Sequence, residues 1–197
     1  MPKIVDHEAQ RKTLALAAMR LMARHGLEGV TMRAVAEEAK LSYGSLFHYF
    51  DSKDALLLHA VQHLASEQTR RVNDYQSQYA GLKALEHLLC DDAIINESSR
   101  DSWMVWMTFQ YKVALEPLFA ERHAEMINGW LARIAELLQA AIAAGEVRNS
   151  LDVELEALAL WVHSAGVGQM GLLHPKSMTA SRQKELISAY LDKLRQA

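Results

Sequence analysis

Apolar residues recur at helical spacing along almost the whole chain, and no stretch of alternating Val, Ile, Thr and aromatic residues has the period of a half-buried strand. The chain is therefore predicted to be all-α. A first helix carries Leu14, Ala17, Ala18, Leu21 and Met22 on one face, with Arg11, Lys12, Arg20 and Arg24 around it, and Gly26 stops it. Thr31 stands where an N-cap belongs, ahead of a short helix whose inner stripe is Met32, Val35, Ala36 and Ala39. Lys40, Leu41 and Ser42 read as a tight turn. Ser42 can cap a second short helix over 43–49, and Asp51 or Ser52 a long one from Lys53 to about 78. Beyond Gly81 the spacing predicts helices near 82–97, 101–114, 118–144, 152–173 and 179–195, about nine in all. Pro117 separates two of these, Gly145 ends one, Asp152 caps the next, and His174-Pro175 stops it.

Composition narrows the class further. Half of the 197 residues are apolar and 23% are charged, with only three Pro and nine Gly, which excludes a disordered tail and a collagen-like fibre. A lone Cys90 excludes a disulfide scaffold and fits a reducing, cytoplasmic compartment. No uncharged apolar run reaches the roughly 18 to 20 residues of a bilayer span, and charge runs through the first thirty residues, so neither a membrane anchor nor a secretory leader is expected. The net charge of -3 is unevenly spread: residues 1–71 hold ten Lys/Arg against eight Asp/Glu, and 72–197 hold eleven against sixteen. So mild a basic bias does not by itself establish a nucleic-acid partner.

The arrangement of the first fifty residues says more. Two short helices joined by a three-residue turn and braced by a preceding helix are the sequence form of a helix-turn-helix, a unit that lays its second helix in the major groove of DNA. On that second helix Leu46 and Phe50 face inward, while Tyr43 with Phe47, and Gly44 with His48, form neighbouring outward rows. The aromatic pair either covers a satellite core or meets a partner. Gly44 costs about 0.8 to 1 kcal/mol relative to Ala, a cost tolerated where a backbone must come close to something.

Thr31, Arg33, Val35, Ala36, Ala39, Leu41, Ser42, Gly44, Leu46, His48, Tyr49, Phe50, Lys53 and Leu56 together resemble the DNA-binding signature of the TetR (tetracycline-repressor-like) family, over about residues 10–60. The resemblance implies a DNA-binding domain at 1–52 and a helical ligand-binding and dimerisation domain at 53–197, with the helix from 53 shared. It further implies that Tyr43, Ser45 and Phe47 face base edges and that Thr31, Arg33, His48, Tyr49 and Lys53 hold phosphates, with Ser42 and Gly44 in the same surface. The family often has Tyr where Phe47 stands, so an apolar contact to a thymine methyl replaces a hydroxyl contact here. On physical grounds alone Lys53 lies at a helix N-terminus whose free amides attract anions, Arg33 could equally be a solvated charge, and His48 a packed histidine. Trp103, Trp106, Phe109, Pro117, Trp130, Gly145 and the 155–175 segment, with a Met1-Pro2-Lys3 start, resemble the family branch that contains the choline-responsive betaine repressor. That branch usually has Asp-Gly where Ala165-Gly166 or Gly166-Val167 stands, so its ligand preference does not carry over.

In the second half, helix 101–114 bears Trp103, Met104, Trp106, Met107, Phe109, Gln110 and Tyr111, bulky on too many faces for one stripe. Such a helix is normally central, beside the gap where a small-molecule pocket forms. Trp103, Trp106, Met107 and Gln110 are candidate effector residues, and Trp130, Trp161, His163 and Gln169 further ones; a purely structural core is the alternative. The Met and Trp mixture suits a hydrophobic or a quaternary-ammonium effector, and whether Glu116 joins it stays open. Leu186, Ile187, Tyr190, Leu191 and Leu194 on the last helix, with Ala159, Val162, Ala165, Gly166 and Gly168 on the one before, read as a homodimer face closing a four-helix bundle, intrachain burial being the alternative.

The expected function is a homodimeric repressor of a palindromic double-stranded DNA operator, released by a small-molecule effector, with no other cofactor and no enzymatic activity. No nucleophile elbow, phosphate-cradling Gly loop or paired Cys motif is present. The rival readings are a DNA-binding dimer without a ligand, a metal site at His59 and His63, and a redox-sensing Cys90.

Overall fold

Side-chain caps fix where the helices begin. In the computed structural model, which describes residues 7–91, 93–94 and 96–196, Thr31 accepts from the amide of Ala34 at 3.1 Å, Ser42 from Ser45 at 3.0 Å and Ser52 from Ala55 at 3.1 Å. Asn96 accepts from Ser99 at 2.9 Å and Asp152 from Leu155 at 3.1 Å. Among the described residues these caps open an all-helical fold of nine helices with no strand: α1 His7–His25, α2 Met32–Glu38, α3 Tyr43–Leu46, α4 Lys53–Gln76, α5 Gly81–Asp91, α6 Glu97–Leu115, α7 Pro117–Ala143, α8 Val153–Leu173 and α9 Ala180–Gln196. The Met1-Pro2-Lys3 start lies outside the described residues.

Left-handed residues end three of the helices. Gly26 and Gly145, at φ 65° and 72°, follow α1 and α7. After α2 the same position is held by Lys40 at φ 58°, where the amides of Lys40 and Leu41 reach back to the carbonyls of Glu37 and Ala36. Two expectations need correction. The second short helix stops at Leu46 instead of Tyr49, because the amides of His48 and Tyr49 bond three residues back, to Ser45 and Leu46, and tighten the chain into a turn. The helix expected over 82–97 ends at Asp91, because Asn96 caps a new helix four residues before the predicted start of α6.

The chain forms two compact units, one running through Glu67 and including Asp101–Arg122, the other Gln68–Arg100 with His123–Ala197. The division falls inside α4, α6 and α7. The first unit has its core where α1, carrying buried Leu14, Ala17, Ala18 and Met22, packs on α2, and α2 in turn on α3, with Val35, Leu46, Phe50 and Leu56 buried. In the second, α5, α8 and α9 pack on one another around Leu85, Leu88, Leu138, Leu160, Ile187 and Leu191. Gln183 is buried there, its amide group donating to the Met178 carbonyl at 2.8 Å and its oxygen accepting from the Ile94 amide at 2.8 Å. A Cβ at Gly171 would stand 2.6 Å from the Gln183 side chain, so a larger residue there must displace this hydrogen-bonded amide.

Candidate nucleic-acid interface

The helix-turn-helix is held by contacts that leave one face bare. Glu38 at the end of α2 accepts from both Arg20 and Arg24 of α1, each at 2.7 Å. The Arg20 hydrogen bond, seconded by Arg24, holds the Glu38 carboxyl below its ordinary range against the opposing effect of burial. Leu46 and Phe50 face inward from the second short helix, as the spacing requires. On its outer side Tyr43 and Phe47 are 53% and 44% exposed, and their rings meet edge to face at 5.2 Å. The pair covers itself, not a core.

Beside that pair the surface is polar and open. Ser42 and Ser45 share a hydrogen bond of 2.5 Å between their hydroxyls, and His48 is exposed. A Cβ on Gly44 would meet nothing within 4 Å, so packing inside the chain gives no reason for glycine there. Thr31 and Arg33 are exposed at the start of α2, where Arg33 pairs with Glu37 one turn on at 3.3 Å. That contact is a solvated i,i+4 pair of little energetic weight, readily exchanged for another anion. Lys53 donates to the Leu27 carbonyl at 3.1 Å, and burial pushes its pKa down, with the charge of Lys112 adding to the effect. An ammonium has three protons, so the Leu27 contact occupies only part of it. Tyr49 is half-buried; its ring lies 4.8 Å from His7, and its carbonyl accepts from Arg11 at 2.6 Å.

Thr31, Arg33, Ser42, Tyr43, Gly44, Ser45, Phe47, His48, Tyr49 and Lys53 are thus gathered on α2, α3, the turn after it and the start of α4. Sequence reading missed Arg11 and Glu38, whose partners lie 38 residues away in one case and 18 and 14 in the other, beyond any local pattern.

The candidate effector residues divide between the two units. Trp103, Trp106, Met107 and Gln110 belong to the first unit, and Trp130, Trp161, His163 and Gln169 to the second; all eight are half-buried. On α6 only Val105 and Phe109 are fully buried, Phe109 lying 6.1 Å from Trp106 and 5.7 Å from Phe119. Glu116 pairs with Lys112, which also binds Asp54 of α4 at 2.9 Å and sits 4.5 Å from the Phe119 ring centre. His163 is engaged by the Leu186 carbonyl at 3.1 Å and by the Tyr190 ring at 4.7 Å. Of the expected dimer face, Ile187, Leu191 and Leu194 are buried in the second unit's own core, since this side of α9 packs inward, whereas Val162 is 56% exposed. Ala159, Gly166, Leu186 and Tyr190 are half-buried. Among the described residues no helix is long and apolar enough to cross a membrane.

Comparison with known proteins agrees with this geometry. Residues 15–60 match the profile described as bacterial regulatory proteins, tetR family, and residues 84–196 match the C-terminal profile of BetI-type transcriptional repressors. The chain is 29% identical to the HTH-type transcriptional regulator PksA of Bacillus subtilis, covering 98% of this chain and 94% of that protein. It is 25% identical to the HTH-type transcriptional regulator BetI of Vibrio vulnificus, covering 98% and 96%. Its fold is similar to that of a TetR-family transcriptional regulator from Rhodococcus sp., with a TM-score of 0.85 at 19% identity over 95% of this chain and 99% of the other. It is also similar to a transcriptional regulator from Saccharomonospora viridis in complex with choline, with a TM-score of 0.83 at 21% identity over 94% and 96%. A helix-turn-helix with a bare aromatic face, matched in sequence from end to end, makes this chain a transcriptional regulator and not an enzyme, a member of the tetR family with a BetI-type C-terminal half.

Proposed function

We propose that the chain is a homodimeric repressor that reads a palindromic operator through Tyr43, Ser45 and Phe47 and is released by a small-molecule effector. The observation that carries this reading is the exposed Tyr43–Phe47 pair on a capped second helix, beside a glycine with open space in front of it. Large apolar rings left bare at the outer face of a helix-turn-helix suit thymine methyls, and Gly44 permits close backbone approach to a phosphate or base edge. Thr31, Arg33, His48, Tyr49 and the remaining protons of Lys53 would hold the flanking phosphates and fix register.

Dimerisation is supported by α8. Leu155, Leu158, Val162, Met170 and Leu173 are all exposed on it, a large apolar surface for one helix of a water-soluble unit. Small residues Ala159 and Gly166 between them let a second α8 approach, with Leu186 and Tyr190 of α9 at the margin. An isologous contact of this kind supplies the twofold axis that two operator half-sites require.

For the effector, the half-buried Trp103, Trp106, Met107 and Gln110 of α6 are the favoured group, with Trp130, Trp161, His163 and Gln169 next. Aromatic faces and methionines attract a quaternary ammonium, and the choline bound by the Saccharomonospora regulator makes choline the first probe. Binding would favour a dimer whose recognition helices are wrongly spaced for the operator, through a coupling of about 1 to 3 kcal/mol. The test is a melting screen of the full chain with choline and other small cations and hydrophobes. A ligand that raises the melting temperature and releases bound operator is the expected result. A panel in which ligands raise the melting temperature yet leave operator binding unchanged would contradict release by the effector.

A further inference from the structure

A four-residue helix keeps its place only if something outside it holds its far end, and one side chain of α1 is in place to do so. Helix α3 is four residues long, a single turn that cannot sustain itself, and Phe47 and His48 stand on the turn that follows it. The carbonyls that close such a turn have no intrahelical partner. Arg11 donates to the Tyr49 carbonyl at 2.6 Å, and its guanidinium carbon sits 4.3 Å from the centre of the Phe50 ring. Phe50 is itself buried, with His59 of α4 packed 5.2 Å from it.

We propose that Arg11 is the positioning residue of the base-reading segment: from α1 it locks the Tyr49 carbonyl and the Phe50 ring, and so sets where Phe47 and His48 stand. This rests on the DNA-binding reading above, but Arg11 itself touches no DNA. The role needs a planar fork that hydrogen-bonds at its edge and stacks on its face at once; lysine supplies the charge and one hydrogen bond without the stack. Arg11 therefore contributes to sequence discrimination and not to the count of phosphates neutralised.

The test compares the full-length chain with Arg11→Lys and Arg11→Met. Operator duplex, selected by the unsubstituted protein from a randomised pool, and a random duplex are titrated across a salt series, with hydrogen exchange measured on the free proteins. Both variants should bind operator about tenfold or more weakly, Met worse than Lys, with random-duplex affinity and the slope against salt unchanged. Amides of residues 47–50 should exchange about tenfold faster while those of residues 14–22 keep their protection. Unaltered exchange at residues 47–50, or operator affinity equal to that of the unsubstituted chain, overturns the proposal. A salt slope lowered by about one, with operator and random duplex weakened alike, makes Arg11 a phosphate contact and overturns it as well. Loss of protection throughout α1 in both variants makes Arg11 a general stabiliser, against the proposal. If the unsubstituted chain selects no duplex, the DNA reading fails first, while faster exchange confined to residues 47–50 would still show the lock.

Discussion

The helix-turn-helix and the α8–α9 pair are built by opposite means. The first uses helices of seven and four residues, opened by Thr31 and Ser42, closed by a left-handed Lys40 and tied to α1 through Glu38 and Tyr49. The second uses helices of 21 and 17 residues and a continuous apolar core, with one buried amide, Gln183, bridging to the segment after α5. A framework held by caps and charged contacts can leave its largest side chains bare, as Tyr43 and Phe47 are. In the longer pair burial divides the helix faces: Ile187, Leu191 and Leu194 are consumed inside, while Leu155, Leu158 and Val162 of α8 stay bare.

Substitutions can break this contrast. Leu160→Ala, at a fully buried position of α8, should cost about 3 to 4 kcal/mol in urea unfolding, and operator affinity per folded molecule should stay unchanged. Gln183→Leu strands the Ile94 amide and the Met178 carbonyl and should cost about 2 to 3 kcal/mol by the same measurement. Ser42→Ala removes a cap from a four-residue helix and should cost only about 1 kcal/mol, yet weaken operator binding in a mobility-shift titration, because the base-reading segment is what frays. Tyr43→Ala, at a side chain more exposed than buried, should change stability by less than about 0.5 kcal/mol while cutting operator affinity. The smallest effect is acidic. Because Glu38 has its pKa lowered in the folded chain, its contribution is present above its ordinary value of 4.5 and is lost as pH falls through the folded value. Glu38→Gln should therefore flatten the acid limb of stability against pH, read as melting temperature.

What could be read from the sequence follows the same division. Caps are local, so Thr31, Ser42 and Asp152 were legible from residue type and position, as were the stops at Gly26 and Gly145. The position of the break between α5 and α6 was not, and was expected at 98–100; the Asn96 cap sets the true start of α6. Periodicity identified the inward face of α9 but could not say whose core it enters; Ile187 and Leu191 look alike whether they meet α8 of the same chain or of a second one. For the site, the Tyr43–Phe47 row was visible from four-residue spacing, while Arg11 was invisible because its partner is brought near only by the fold. Spacing marked helix 101–114 as unusually bulky, but which unit each candidate joins, Trp103 to Gln110 the first and Trp130, Trp161, His163 and Gln169 the second, is set by contacts distant in sequence.

The most direct measurement is selection of duplexes by the purified chain from a randomised pool at moderate ionic strength, repeated with Phe47→Ala. Enrichment of a palindrome whose half-sites are centred about 10 base pairs, or a multiple of that, apart, with thymine positions relaxed in the Phe47 variant, is the expected result. A correctly folded chain that enriches no sequence, or a Phe47 variant that enriches the same palindrome equally well, would contradict base reading by the Tyr43–Phe47 face.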